Sequence, residues 1–571
     1  MVTKSPKRRA RRPAAPTSPP LSVTRQLSPP ADSSRAPLLP VTDTPATSQA
    51  AFDAATAPPK PSAWSSFVFF VHALVLTFPV VAAAVVRGPE RPNRPRGLDL
   101  FVRFFRQMSK LPSLNVYRAR ALLDKINKLS QDRIDAVVQQ FVFTEVVWRA
   151  RLLVSADETV PALPGTGAST DPLVTIVSPS LIAQYPRVAA TRDWTVSADW
   201  IEPVDAHSDP LWDPTRVAIM YHGGAYIFSS KHSYRHMAGP LGALLHRRVF
   251  NVEYRLSPEA QFPDALHDGV AAYLYVVEVE KVPPEKIVLM GDSAGGNLAM
   301  AVLLFLRDHG YPLPGGAVLL SPWSDLSHHL PSYTENKHFD YINPYDQQPN
   351  MNPVAMLCGT PYYHAAVATE KYLSPVVDSA QPAFPGQRAL PPVYISTGTD
   401  EILLDENVLL AANLAGRAST GSGVVVHDMH EHQIHVFPFL NLHCADAARF
   451  RARVAAFVTS VVDQPFRATE GGPRVEVAYF KDGVDQGADA ARAAWARRWP
   501  GIRAAKHLAW DPVQAVLMDE KMAGRVLPEG SRTGSGIKSA LPKALREGVG
   551  GVLEEVQAAA AEGVMVGPAK Y

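Results

Sequence analysis

The chain has little cysteine, little charge and no excess of either sign. Two cysteines, Cys358 and Cys444, stand in 571 residues, which excludes a disulfide-stapled scaffold and a four-cysteine zinc module. Charged residues make up 19% and the formal net charge is +2, so bulk electrostatics give no support to a nucleic-acid binder. The sequence holds no Asn-x-Ser/Thr sequon, which removes one mark expected of a lumenal domain. No internal repeat is present. At roughly 100 to 200 residues per domain the length allows two or three domains, or one large domain with additions.

Proline is in excess: 52 residues, about 9% against a usual ~5%. Thirteen of them lie in residues 1–62 among Ser, Thr and Ala, without an apolar run able to cover a core, so this stretch reads as a disordered tail. Its basic cluster, Lys7, Arg8, Arg9, Arg11 and Arg12, suits a nuclear-type signal, an anionic lipid surface, a topology signal or a plain solvated run. Residues 65–86 are apolar apart from small hydroxyl residues and His72. As a helix, such a stretch reaches about 33 Å, enough for a ~30 Å hydrocarbon layer. It is expected to be a single-pass anchor, with a membrane-lying or buried helix as the alternative. The expected location is therefore a membrane, taken as that of the endoplasmic reticulum, with the side of the following part of the chain undecided because arginines flank both ends.

Residues 99–205 are expected to form a helical cap or N-terminal region, the helical reading resting on 99–153. In it Phe101, Phe104, Phe105 and Met108 recur at helical spacing and make one apolar face. That face suits a membrane surface, the roof of a pocket or ordinary packing. From about 206 to 462 short apolar runs alternate with helical stretches, at 217–221, 249–254, 286–290, 317–320, 393–396 and 424–427. Nearly continuous apolar strands separated by helices predict an α/β fold, a mostly parallel sheet covered on both faces. A cap insertion is expected within 325–370, and residues 465–571 read as an extension without an assigned role, with an apparent helix near 544–561.

The strongest chemical signal is Gly291-Asp292-Ser293-Ala294-Gly295, placed between a strand and a helix. A serine attacks a carbonyl poorly unless it is exposed, held in one rotamer and within reach of a base, and a tight strand-to-helix turn meets the first two needs. Gly291 and Gly295 let neighbouring backbone pass close, while the Ala294 N–H and the helix N-terminus point positive dipole at a developing oxyanion. At the end of another strand, His222-Gly223-Gly224-Ala225-Tyr226 stands where further N–H donors to an oxyanion are expected. An acid and a base must follow the serine in that order. Gly398-Thr399-Asp400-Glu401-Ile402-Leu403-Leu404-Asp405-Glu406 offers four carboxylates after a strand; Asp400 is taken as the acid, with Asp405 next. Among His427, His430, His432 and His435, the last is taken as the base because it sits furthest into the loop, before the apolar pair Val436-Phe437. The same histidines have a spacing that suits a metal, but a serine elbow needs only one histidine and no second ligand cluster is evident. No metal or cofactor is expected.

These motifs, together with Glu253-Tyr254-Arg255-Leu256-Ser257-Pro258-Glu259, Phe262-Pro263, Asp268 and Ser321-Pro322-Trp323, resemble in order those of the hormone-sensitive lipase-like α/β-hydrolases, a group that includes arylacetamide deacetylases and fungal steryl acetyl hydrolases. The resemblance covers about 213–462. It implies the α/β-hydrolase fold with a helical cap, Ser293 as nucleophile, Asp400 as orienting acid and His435 as base, with Gly223, Gly224 and Ala294 as oxyanion donors and Ala225 contributing. Two departures stand out. Ala225 occupies the place of a third glycine, and Glu401-Ile402 stand where members often carry Pro-Leu. The Glu253-Tyr254-Arg255 run reads as architectural. The expected activity is hydrolysis of short-chain acyl esters of lipophilic alcohols, such as sterol or other lipid acetates, with a small lipophilic ester and a membrane as the partners. The alternatives are an arylacetamide-type amidase and a non-catalytic ligand-binding protein on the same fold.

Overall fold

The computed structural model describes residues 22–24, 94–108, 116–129, 135, 137–154, 173–177, 193–343, 352–358, 370–380, 389–418, 424–441, 443–463 and 474–504. They belong to one compact unit, residues 1–519, while the second unit, 520–571, holds the expected helix near 544–561 and lies outside the described residues. The expected anchor at 65–86 lies outside them too. Among the described residues no helix is long and apolar enough to cross a membrane.

The strands are β1 (Ser22–Thr24), β2 (Phe141–Val154), β3 (Leu173–Val177), β4 (Asp193–Pro203), β5 (Val217–Tyr221), β6 (Arg248–Glu253), β7 (Ile287–Asp292), β8 (Gly316–Leu320), β9 (Val393–Gly398), β10 (Val424–His430), β11 (Arg474–Lys481) and β12 (Val484–Asp485). They form one sheet in the order β1-β2-β4-β6-β5-β7-β8-β9-β10-β11-β12, with β3 also on β2. From β6 through β11 every neighbouring pair is parallel. The pairs β2/β4, β4/β6 and β11/β12 are antiparallel. The mostly parallel sheet is the one that the apolar runs predict, and β5, β7 and β8 are buried along their whole length.

The helices that matter for the site are α1 (Arg96–Met108), α2 (Val116–Leu129), α3 (Lys231–Leu244), α4 (Asp264–Leu274), α5 (Ala294–Asp308), the single turn α6 (Ser332–Glu335), α7 (Leu404–Ala418), α8 (Ala445–Phe457) and α9 (Ala488–Ala504). Helices α3 and α8 share one apolar cluster with Ala218, Met220, Val288, Met290, Val318, Leu320, Tyr394 and Val426, every second residue of their strands. The alternate residues face α4 and α5: the Tyr221 hydroxyl donates to the Gly269 carbonyl at 2.8 Å, and Gly269 packs on Leu298 and Val302. This period-2 division is the physical consequence of pleating, and it explains why the strands carry apolar residues on both faces.

Three expected boundaries change. Residues 141–154 are not helical but strand. Phe141, Phe143, Val146, Trp148 and Ala150 are buried, whereas Val142, Val147 and Arg149 are exposed, an alternation that a helix cannot produce. With β3 and β4 they carry the sheet into the region expected to be a helical cap. Residues 474–504 of the expected extension are likewise part of the fold, because β11 pairs along the whole of β10 and α9 docks behind it. Trp495 Nε1 lies 3.1 Å from His427 Nδ1, and Arg498 grips Asp405 through Nε at 2.6 Å and Nη2 at 2.7 Å. Finally, Ser22–Thr24, within the expected tail, pair with β2.

Candidate active site

The C-terminal ends of β5, β7, β8, β9 and β10 lie side by side and gather the residues that carry chemistry. The β5/β7 register sets Tyr221 beside Gly291, so the glycine loop after β5 and the turn after β7 emerge together. Ser293 sits on that turn with φ 53° and ψ −121°, a conformation costing a non-glycine residue about 1–3 kcal/mol and retained only where the surroundings enforce it. They do. The Ser293 N–H donates to the Leu320 carbonyl at 2.9 Å, and the Ser293 carbonyl accepts from the N–H groups of Trp323 and Asn297, both at 2.9 Å. A Cβ at Gly295 would lie 2.0 Å from the Tyr221 carbonyl oxygen. Glycine at 295 is thus what lets the elbow press against the end of β5.

The loop after β5 turns with φ 115° at Gly224 and 54° at Ala225. At Gly224 a Cβ would meet the Phe228 carbonyl at 2.4 Å. The N–H groups of Gly224, Ala225 and Ala294 have no acceptor among the described residues, leaving them available to a ligand oxygen. Gly223 differs from the expectation. Its N–H is directed at the Tyr234 hydroxyl at 2.9 Å and Asp292 Oδ1 at 3.1 Å, while Tyr234 donates to Asp292 Oδ2 at 2.9 Å. Its amide therefore ties the loop to the elbow. Burial raises Asp292 to about 6, opposed chiefly by the Tyr234 hydrogen bond. Tyr226 closes the loop onto α5 by donating to Asn297 Oδ1 at 2.6 Å.

The acid is where the structure corrects the sequence reading most. His435 Nδ1 lies 2.9 Å from Glu401 Oε2, both buried. Asp400 instead accepts from Arg94 Nη2 at 3.2 Å and faces His432 Nδ1 at 3.4 Å. The cause is the tight turn after β9. Glu401 folds back so that its Oε1 accepts the Gly398 N–H at 2.8 Å, and consecutive side chains on such a turn leave in different directions. Asp405, the other candidate, is taken by Arg498 and by the Ser332 N–H at 2.7 Å. Burial pushes the Glu401 carboxyl upward, against hydrogen bonds from Ser321 and the Gly398 N–H. Burial lowers His435, against attraction from Asp340 and Asp292.

In the sequence Ser321 stands out only as part of the Ser321-Pro322-Trp323 motif, without a role of its own. Its hydroxyl bonds Glu401 and accepts the Val436 N–H at 3.2 Å, so the turn after β8 touches the acid and the backbone next to the base, while the Leu320 carbonyl at the end of β8 holds Ser293. That turn brings the nucleophile, base and acid loops together. The other histidines diverge: His427 meets Thr397 and Trp495, His430 meets Asp446 at 2.9 Å, and His432 meets Asp400. Among the described residues no group of His, Cys, Asp and Glu could hold a metal ion.

The aromatic face of α1 is now placed. Phe101 and Phe105 pack on Tyr341 at centroid distances of 5.6 and 6.3 Å, and Tyr341 lies 6.0 Å from the His435 ring. Asn343 also donates to the Arg106 carbonyl at 2.6 Å. The face therefore packs on the aromatic side chain that lies beside His435. On the other side of the site, α2 sends Arg120 to the carbonyls of Ile227 and Ser257, each at 2.7 Å, and to Glu259 at 2.8 Å. Arg255 pairs with Asp268 at 2.8 Å and Tyr254 donates to the His222 carbonyl at 2.6 Å. That run is architectural.

This geometry defines a class. Residues 218–439 match the family model described as alpha/beta hydrolase fold, so this part of the chain has the α/β-hydrolase fold, and its motifs resemble those of the hormone-sensitive lipase-like group. Among its relatives is an acetyl-hydrolase of Streptomyces hygroscopicus, 35% identical over 37% of this chain and 63% of the relative, so the chain spans less than two thirds of that protein's length. A versiconal hemiacetal acetate esterase of Aspergillus parasiticus is 28% identical over 44% of this chain and 77% of the relative. A solved esterase from the bacterial hormone-sensitive lipase family is 28% identical, covering 47% of this chain and 82% of that one at a TM-score of 0.40.

Proposed function

We propose that the chain is a serine carboxylic-ester hydrolase acting on short-chain acyl esters of lipophilic alcohols, lipid acetates among them. The observation that carries this reading is the buried 2.9 Å contact of His435 Nδ1 with Glu401, joined through the β8 turn to a serine held at a strained elbow. His435 Nε2 takes the proton of Ser293 Oγ as that oxygen attacks the ester carbonyl. The N–H groups of Gly224, Ala225 and Ala294 receive the oxyanion, and Glu401 fixes the imidazole tautomer and balances its charge. The protonated His435 then gives its proton to the leaving alkoxide, and water repeats the sequence on the acyl-enzyme. Each fixed oxyanion donor is worth about 3–4 kcal/mol in such sites.

The relatives' names, acetyl-hydrolase and hemiacetal acetate esterase, support a small acyl group. The wall of Phe101, Phe105 and Tyr341 supports a lipophilic alcohol. The proposed place of action is a membrane surface, that of the endoplasmic reticulum, and the support for it is the apolar stretch 65–86. An acyl series tests the substrate class. With the purified chain, kcat/KM for p-nitrophenyl acetate should exceed that for the octanoate by at least about tenfold, and acetanilide-type amides should turn over more slowly than either. A preference for octanoate, or for the amide, would contradict the assignment.

A further inference from the structure

The segment from Ser332 to Tyr341, buried at Ser332, Asn336 and Asp340, has no part in the steps above, yet it grips the loop that carries the acid. Ser332 Oγ donates to the Ile402 carbonyl at 2.8 Å, and Asn336 Nδ2 donates to the carbonyls of Thr399 at 3.0 Å and Glu401 at 2.8 Å. Asp340 completes the grip. Its Oδ2 accepts the N–H of Ile402, the residue after Glu401, at 2.9 Å, and its Oδ1 accepts the Tyr341 N–H at 2.8 Å. A fully buried carboxylate satisfied by two backbone amides is costly to maintain unless a nearby group uses its charge.

We infer that Asp340 is a positioning residue for the acid–base pair: it fixes the backbone that carries Glu401 and supplies His435 with a second anion that favours the imidazolium. The inference rests on the esterase reading of the site. Glu401 Oε2 lies 2.9 Å from His435 Nδ1 and the Tyr341 ring 6.0 Å from its ring, while Asp292 at the end of β7 and Asp340 in the segment after α6 act on His435 through their charge. Those acting on Asp340 are His435, which favours its ionised form, and Glu401, which opposes it; burial brings Asp340 to about 6. Through the reaction the imidazole gains a proton while Glu401 stays in place, so an anion held beside it strengthens the base. The proton itself passes only between Ser293, His435 and the leaving group.

The test compares Asp340→Asn with the unaltered chain by titrating the His435 imidazole in NMR spectra, its signal identified by loss in His435→Gln, alongside the pH dependence of kcat/KM for p-nitrophenyl acetate. Removing the charge should lower the His435 midpoint by about one pH unit. The acid limb of activity should move the same way, because the neutral imidazole is the active form. The kcat should fall about tenfold with KM changed less than about twofold. An unmoved His435 midpoint in a folded variant would overturn the inference. If the unaltered chain hydrolyses no ester, the esterase reading fails, while the imidazole titration still decides the role of Asp340. If Asp340→Asn does not fold, Asp340→Glu decides: it keeps the charge but displaces the loop, so the midpoint should hold while kcat drops about tenfold, and an unaltered kcat would overturn the positioning role.

Discussion

Exchanging Glu401 for Gln should lower kcat on an activated ester by about 10⁴-fold, whereas exchanging Asp400 for Asn should leave kcat within about threefold of the unaltered chain. The two side chains are neighbours in sequence and both are buried, so burial does not separate them. Contact does. Glu401 meets the imidazole nitrogen away from the nucleophile at 2.9 Å. Gln at 401 can present its amide to that nitrogen and favour the wrong tautomer, which leaves Nε2 unable to accept the serine proton. Asp400 pairs with Arg94, both side chains 2% exposed, and that pair ties the residues ahead of α1 to the loop after β9. Weakening it should appear as a stability loss of about 1–3 kcal/mol, read from the denaturant midpoint at unchanged slope. Steady-state kinetics on both variants, with melting curves as controls, separate the roles. A large loss of kcat in Asp400→Asn with Glu401→Gln nearly normal would reverse the assignment.

Replacing Ser293 by Ala has the largest expected effect, a loss of about 10⁶-fold in kcat. The residue occupies a positive-φ turn that alanine tolerates as poorly as serine does. The backbone bonds holding that turn, to Leu320, Trp323 and Asn297, do not involve the hydroxyl. The variant should therefore fold with a melting temperature close to that of the parent. Its residual rate should stay about 10³–10⁴-fold above the uncatalysed reaction, because the amides of Gly224, Ala225 and Ala294 still bind the oxyanion. The expected burst of p-nitrophenol from acylation should vanish with the nucleophile.

Much of this was legible in the amino-acid sequence for definite physical reasons. An elbow must hold small residues at 291, 295 and 296 because backbone and Pro322 pass within contact of each, and that demand leaves a contiguous signature. Buried parallel strands leave apolar runs, so β5 to β10 were visible. The strands at the antiparallel side were not, because β2 mixes Glu145 and Arg149 into its alternation and faces solvent in part. The strand β11 hid in a stretch without a long apolar run, since it lies near the edge of the sheet, with only the short β12 beyond it, and is buried only in part.

The site residues divide in the same way. Ser293 and His435 are constrained by local turns and by order along the chain. The choice between Asp400 and Glu401 depends on where a turn after Gly398 aims two adjacent side chains, which composition does not reveal. The visible hint was the departure itself, a glutamate at 401 where similar proteins often have proline. Gly223 was grouped with its neighbours as a donor because a run of glycines looks uniform; Asp292 and Tyr234, distant in sequence, single it out. The roles of Ser321 and Asp340 were invisible for the same reason, since they consist of contacts with the loops after β9 and β10.

The most direct measurement is the site of covalent capture. After reaction of the purified chain with a fluorophosphonate and proteolysis, mass spectrometry should find the phosphonyl group on Ser293, at about one per chain. Labelling should be lost in Ser293→Ala, strongly slowed in Glu401→Gln and retained in Asp400→Asn. A chain that takes up no label, or one labelled on another residue with Ser293 unmodified, would contradict the account.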